Sequence, residues 1–217
     1  MGKYDAVIFD LDGTLLNTLD DLAAAVNHSL ALEGLPQRSL DEIRRFVGNG
    51  AGLLISRSMP EGSSRELTDK VFAHFSEYYV DHGTILTAPY DGIVELLERL
   101  KAGGMKLAVV SNKIDAAVPP IMEHYFPGLF DITAGERSDV RRKPAPDMIY
   151  YCMESFGIKP ERTVYVGDSD VDIMTARNAG IDCVSVSWGF RDRELFLSLG
   201  QTDIADNADE LLTYLEK

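Results

Sequence analysis

The 217-residue sequence predicts an α/β protein: a doubly wound parallel sheet with helices on both faces, interrupted near its start by an all-helical domain. Three observations carry this. Short apolar runs with β-branched members recur along the chain, and helical patterns alternate with them from about residue 88 onward. Residues 17–85, in contrast, hold helical spacing throughout and no convincing strand.

The elements follow in order. Tyr4 to Phe9 is an apolar run that ends abruptly in Asp-Leu-Asp-Gly-Thr, as a buried strand leading into a loop does. Leu19 to Leu32, Leu40 to Phe46, Gly52 to Ser58 and Arg65 to Val80 then carry helical spacing. Leu16 to Thr18 and Leu86 to Pro89 are the linker strands on either side, so the expected domains are 1–16 with 86–217, and 17–85. Further strands are expected at Met105 to Val110, Thr163 to Val166 and Cys183 to Val186, with a weaker one near Asp131 to Thr133. Helices are expected at Ile93 to Lys101, Ile114 to His124, Ala145 to Phe156 and Val171 to Ala179, with Gly103, Gly157 and Gly180 as stop signals. Ala208 to Leu215 closes the chain as an amphipathic helix.

Composition narrows the function classes. A formal charge of −14 disfavours general binding to nucleic acid or anionic lipid, which attract clustered Lys and Arg. A hydrophobic fraction of 45% and a charged fraction of 26% are ordinary for a globular chain, and no apolar run is long enough to span a bilayer. The N-terminus does not read as a signal peptide, so a cytoplasmic protein is expected. Cys152 and Cys183 stand apart with no CxxC spacing, which argues for reduced thiols rather than a disulfide or a zinc site.

Four constellations carry chemistry. Asp10 and Asp12 follow the first strand, where a period of two turns both carboxylates toward one spot at the sheet edge that binds ligands in open parallel sheets. An isolated Asp-x-Asp can also simply start a polar loop. Here Gly13 permits close backbone approach to an anion and Thr14 adds a hydroxyl, making both candidate substrate contacts. Ser111-Asn112-Lys113 follows the next strand and offers either a phosphate contact or a helix N-cap. Lys143, fixed by the prolines of Lys-Pro-Ala-Pro, can aim an ammonium at a transferring phosphoryl group, while Arg141 and Arg142 read as solvated. Finally, Asp168 and Asp172 lie in Gly-Asp-Ser-Asp-Val-Asp, where gathered carboxylates suit a hard cation such as magnesium; Asp170 reads as a helix cap.

In this order the four segments resemble the motifs of the haloacid dehalogenase superfamily, and the resemblance spans nearly the whole chain. It implies a Rossmann-like core and a helical cap at 17–85. Within the superfamily, Val47-Gly48-Asn49-Gly50-Ala51 and Ser111-Asn112-Lys113 look most like phosphoglycolate phosphatases. Asn17 departs from the Asp these enzymes often carry just before the cap. The resemblance implies a phosphoric monoester hydrolase in which Asp10 attacks phosphorus and Asp12 protonates the leaving oxygen and then activates water. Asp10, the Asp12 backbone carbonyl and Asp168 would hold Mg2+ with Asp172 in support, and Ser111 and Lys143 would hold the phosphoryl group. Gly48, Asn49 and Gly50 would read a small phosphorylated metabolite from the cap. A β-phosphoglucomutase-like transferase, a pyrophosphatase and, from another class, a phospho-accepting signalling module use comparable parts. Either a monomer or a homodimer is compatible with the motifs.

Overall fold

The computed structural model describes residues 2–216. In chain order its strands are β1 (Ala6–Phe9), β2 (Leu16–Asn17), β3 (Ala88–Pro89), β4 (Lys106–Ile114), β5 (Ile132–Glu136), β6 (Thr163–Gly167), β7 (Asp182–Val186) and β8 (Ile204–Ala205). Its helices are α1 (Leu19–Leu32), α2 (Leu40–Phe46), α3 (Ala51–Ser58), α4 (Arg65–His82), α5 (Ile93–Ala102), α6 (Val118–Tyr125), α7 (Asp147–Phe156), α8 (Asp170–Ala179), α9 (Arg193–Ser198) and α10 (Ala208–Leu215).

Six strands form one parallel sheet in the order β5-β4-β1-β6-β7-β8. β1 is therefore central, with Ala6 and Phe9 opposite Lys106 and Val109 on one side and opposite Thr163 and Val166 on the other. Strand alternation sorts the side chains onto two faces. Val7, Phe9, Leu107, Val109, Val164 and Val166 pack with Leu96 and Leu100 of α5, Met122 of α6, and Leu211 and Leu215 of α10. Ile8, Ala108, Val110 and Tyr165 turn the other way, against Met148, Ile149 and Cys152 of α7 and Ala176 of α8. Helices on both faces explain why these strands read as continuous apolar runs.

The order of the strands also locates the crevice. From β1 the chain builds outward through β4 and β5, and then returns to lay β6 on the opposite side of β1. Such a reversal opens a cleft beyond the carboxyl ends of the strands flanking it. Here those are the ends of β1, β4 and β6.

The chain divides into two compact units, residues 1–16 with 89–217, and residues 17–88. In the second, α1 buries Leu22, Val26 and Leu30 at four-residue spacing, and α4 buries Val71 and Phe75 likewise. α2 begins with a reciprocal cap between Ser39 and Glu42. Residues 86–88, assigned from the sequence to the first unit, belong to the second. The buried Asp21 carboxylate of α1 accepts hydrogen bonds from the backbone N–H groups of Leu86 and Thr87 and from the Thr87 hydroxyl, at 2.8–3.0 Å.

Four expectations are corrected. β4 continues through Ile114, and the following helix starts at Val118 after a 3-10 turn at Asp115–Ala117. Pro119 and Pro120 lack the N–H that an earlier start would require, and are tolerated only in the first turn. Ser111 is thus inside a strand and caps no helix. α7 starts at Asp147 because Pro146 disfavours helical backbone at Ala145. β8 and α9 were not expected from the sequence. Asp170 does not cap α8; Ser169 does, in a reciprocal cap with Asp172. Cys152 and Cys183 are free thiols, and burial pushes the Cys152 thiol up to about 12. Among the described residues no helix is long and apolar enough to cross a membrane.

Candidate active site

Asp10 is the first residue past β1, and its N–H still donates to the Val166 carbonyl at 2.9 Å. Its carboxylate is therefore held at the sheet edge, between the ends of β4 and β6. Asp168 follows β6 directly, and Asp172 comes from the first turn of α8. Each of the three buried carboxylates offers an oxygen within 4.8 Å of the others.

Lys143 penetrates this cluster. Its Nζ lies 2.7 Å from Asp10 Oδ1, 2.8 Å from Asp172 Oδ1 and 2.9 Å from the Tyr165 hydroxyl, so three acceptors match the three N–H bonds of an ammonium. The Tyr165 hydroxyl proton faces Asp172 Oδ1 at 3.1 Å and the Val110 carbonyl at 3.3 Å. The Lys143 backbone is fixed separately: its N–H donates to Asn112 Oδ1 at 3.0 Å, and Asn112 Nδ2 donates to its carbonyl at 3.2 Å. The Lys143–Pro144 peptide is cis.

The electrostatics follow from burial. Desolvation, reinforced by the charge of Asp172, pushes the Asp10 carboxyl up to about 7 against the pull of Lys143. Desolvation and the charges of Asp172 and Asp10 push Asp168 well above the usual carboxylate range, against the Phe190 amide and Arg191. Burial would lower the Lys143 ammonium, but Asp10 and Asp172 outweigh it and hold the group above its ordinary range. One ammonium among three buried carboxylates leaves a deficit of positive charge, and an all-oxygen donor set fits a hard divalent cation. Asp10 and Asp168 are the better-placed ligands. Both Asp172 oxygens are already engaged, Oδ1 by Lys143 and Tyr165, Oδ2 by the Ser169 N–H and hydroxyl.

Asp12 stands apart from that triad. It lies past the strand, in a bridge to Leu16, so strand alternation no longer governs its direction. Its Oδ1 is buried and accepts no hydrogen bond, and the Lys113 Nζ lies 3.2 Å away as an ion pair without hydrogen-bond geometry. Ser111 is buried at the β4 side of the cleft. Its Oγ accepts the Lys113 N–H at 3.1 Å, which leaves its own proton to donate elsewhere.

Three residues expected to contact substrate also have partners within the protein. The Gly13 N–H is taken by the Leu16 carbonyl at 2.8 Å. Gly13 is required because, at φ +88°, a Cβ there would lie 2.4 Å from Asp168 Oδ2. Buried Thr14 donates its hydroxyl to Asp168 Oδ1 at 3.4 Å, and Asn112 is spent on Lys143. Gly48, Asn49 and Gly50 form a turn in the helical unit in which all three residues have positive φ. Arg57 donates to the Phe46 carbonyl at 2.8 Å and so braces that turn.

Sequence reasoning missed Tyr165 and the segment after β7. The Phe190 N–H donates to Asp168 Oδ2 at 2.7 Å, the Trp188 indole donates to the Thr14 carbonyl at 3.0 Å, and a Cβ on Gly189 would lie 2.4 Å from Asp168. Two signals were available. A tyrosine inside the apolar strand run Thr-Val-Tyr-Val must find a partner for its hydroxyl, and Trp-Gly-Phe lies at the end of a strand on the cleft edge.

Known proteins match this arrangement. Residues 7–186 match the profile of the haloacid dehalogenase-like hydrolases. Phosphoglycolate phosphatase 1 of Pseudomonas aeruginosa is 34% identical over 212 residues, covering 95% of this chain and 78% of that protein. The phosphoglycolate phosphatase of Mannheimia succiniciproducens is 38% identical over 196 residues, covering 87% and 88%. A crystal structure from Lactobacillus delbrueckii subsp. bulgaricus, of a proposed phosphoglycolate phosphatase, superposes with a TM-score of 0.94 at 38% identity and covers 99% of both chains. With residues 7–186 on that profile, and three buried carboxylates and a buried lysine converging at the carboxyl end of the sheet, this chain belongs to the haloacid dehalogenase-like hydrolases.

Proposed function

We propose that the chain is a magnesium-dependent phosphatase of small phosphate monoesters, with 2-phosphoglycolate as its substrate, working through an aspartyl phosphate on Asp10. The observation that carries this is the bridge from Lys143 to Asp10 and Asp172 beside Asp168. It fixes a carboxylate oxygen, a cation and a metal-type donor set at one point, the set of parts that phosphoryl transfer to a carboxylate requires. The relatives named above support the choice of substrate.

Asp10 and Asp168 would hold the ion, with the Asp12 backbone carbonyl completing the protein ligands. Bound Mg2+ supplies positive charge that lets an anionic nucleophile meet an anionic phosphate. The chain's own residues do the rest. Asp10 attacks phosphorus as the ester P–O bond breaks, and Asp12, the only acidic side chain of the set outside the Lys143 cluster, gives its proton to the departing alkoxide. Water then attacks the phosphoaspartate and returns a proton to Asp12, the bond from phosphorus to Asp10 breaks, and inorganic phosphate leaves. Ser111 and Lys143 orient the phosphoryl oxygens throughout, and Asn112 and Tyr165 keep Lys143 aimed. Residues 17–88 serve as the cap, with the turn at Gly48, Asn49 and Gly50 as its substrate-reading element.

The test is an activity screen with Mg2+ over 2-phosphoglycolate, β-glucose 1-phosphate and pyrophosphate. A clear preference for 2-phosphoglycolate, abolished by chelator, is expected. Preference for the sugar phosphate with regeneration of an isomeric sugar phosphate would replace hydrolysis by a mutase reaction.

A further inference from the structure

We infer that Asp115 and Gly135 are positioning residues of the phosphoryl site: together they hold a bulge in β4 that aims Ser111 and Asn112 at their partners in the cleft. The inference rests on the proposed role of Ser111 in holding the phosphoryl group.

The register of the sheet locates the bulge. Val110 of β4 stands opposite Ala134 of β5, but the next pair is Ile114 with Glu136. Ser111, Asn112 and Lys113 therefore face Gly135 alone. Bulges re-aim side chains, gather beside active sites and are uncommon between parallel strands. This one carries what β4 gives to the site. Ser111 Oγ accepts the Lys113 N–H at 3.1 Å inside the bulge, and the Asn112 side chain takes both the N–H and the carbonyl of Lys143. A strand in regular register would carry Ser111 opposite Gly135 and Asn112 opposite Glu136, and would draw both side chains away from these partners.

Two features keep the register shifted. The Gly135 N–H donates to Asp115 Oδ1 at 2.7 Å, which ties the strand facing the bulge to the 3-10 turn that closes it. A hydrogen bond to a carboxylate is of the stronger class. The backbone of the bulge also folds tightly over Gly135. A Cβ there would lie 2.4 Å from Asp115 Cα, 2.5 Å from the Lys113 carbonyl oxygen and 2.7 Å from the Asp115 nitrogen. All three are backbone atoms, which cannot swing aside as a side chain would. The bulge thus requires a residue without a Cβ at 135 and an acceptor of the right reach at 115, and both act on the phosphoryl group only through Ser111 and the Asn112–Lys143 clasp.

The experiment measures steady-state kinetics with Mg2+ on p-nitrophenyl phosphate and 2-phosphoglycolate, alongside thermal melts. It compares wild type with Asp115→Ala, Asp115→Asn, Asp115→Glu, Ser111→Ala and the Ser111→Ala/Asp115→Ala double variant. Asp115→Ala should lower kcat/KM about tenfold, the order expected for losing a hydrogen bond to a charged acceptor. Asp115→Asn keeps an acceptor oxygen at the same reach and should recover most of that loss. Asp115→Glu keeps the charge but moves the oxygen by a methylene, and should not. A residue acting through Ser111 loses part of its effect once that hydroxyl is gone, so Asp115→Ala should cost about threefold less in the Ser111→Ala background than in wild type. Equal cost in both backgrounds, or an active Asp115→Glu with an impaired Asp115→Asn, overturns the positioning role and leaves the phosphatase reading standing. A wild type with no Mg2+-dependent activity on either ester overturns both. Should Asp115→Ala fail to fold, the order of the Asn and Glu variants decides.

Discussion

Two chemically identical carboxyls, two residues apart, are held in opposite surroundings. Asp10 is clamped by Lys143 within a buried acidic cluster, whereas Asp12 presents an oxygen with no hydrogen-bond donor. Their replacements should therefore fail differently. Asp10→Asn should abolish both half-reactions. Asp12→Asn, assayed with an aryl phosphate whose leaving group needs little protonation, should give a burst of phenolate and then slow turnover, with radiolabel retained on the protein. Equal loss of both steps in the two variants would exchange or dissolve the assigned roles. Tyr165→Phe removes one acceptor of Lys143 without altering the core shape. Leaving a buried charged donor short of a partner costs about 1–3 kcal/mol, so kcat should fall roughly 10- to 100-fold with a smaller change in KM; a variant as active as wild type would reduce Tyr165 to packing. The placement of Asp10, Ser111 and Asp168 in the cleft was legible because each comes where an apolar strand run ends, that of Lys143 because prolines follow it directly, and that of Asp172 because it lies one helical turn past Asp168. The internal partners of Thr14 and Asn112 were not legible, because they lie 154 and 31 residues away and no local pattern announces such a pairing.

At the scale of elements, the end of β6 controls the site through a glycine. A Cβ on Gly167 would lie 2.3 Å from the Asp172 Cβ, so Gly167→Ala must push α8 away from Lys143. A stability loss of about 1–3 kcal/mol is expected from such overpacking, with a disproportionate loss of activity, read by urea unfolding alongside steady-state kinetics. The turn between α2 and α3 makes a contrasting case. Asn49 has φ 63°, a conformation asparagine adopts more easily than most residues. Asn49→Ala should change discrimination among phosphate esters more than the melting temperature; unchanged ratios of specificity constants would remove the turn from substrate reading. Helices α1, α2 and α10 have the bounds read from the sequence: apolar spacing runs through the 14 residues of α1, while the short α2 and α10 start directly after Ser39 and Asn207, whose side chains cap them. β8, a strand of two residues, offers no period to read, and the start of α6 was hidden because a strand continuing through Ser-Asn-Lys-Ile looks like a polar loop.

For the whole molecule, the acidic cluster ties stability to the bound cation. A ligand present at about 100 times its Kd stabilises the folded state by about 2.7 kcal/mol, so Mg2+ should raise the melting temperature and chelator should reverse the rise. Calcium should support activity poorly, since it favours more ligands and can take both oxygens of one carboxylate. The pH dependence has a definite sign. In the metal-free protein Asp10 is raised from 3.8 to about 7, so between those values the folded state holds more protons than the unfolded chain. Metal-free stability should therefore fall as pH rises through that window, while stabilisation by Mg2+ should grow over the same range. Calorimetric melts with Mg2+ and with chelator at several pH values measure both trends, and parallel curves would remove Asp10 from the cation site.

The central place of β1 has a consequence for how the site comes into being. Its neighbours in the sheet, β4 and β6, lie about 100 and 160 residues further along the chain. Contacts this non-local bring a large loop-closure entropy and slow folding, so Asp10, the proposed nucleophile, should exist early in synthesis as an unstructured aspartate with no cleft around it. Val164 and Val166 must dock on β1 before Asp10 gains the backbone hydrogen bond that fixes it. Competence for chemistry should thus appear in one late step of refolding, together with burial of Tyr165, rather than in proportion to the helix content that forms first.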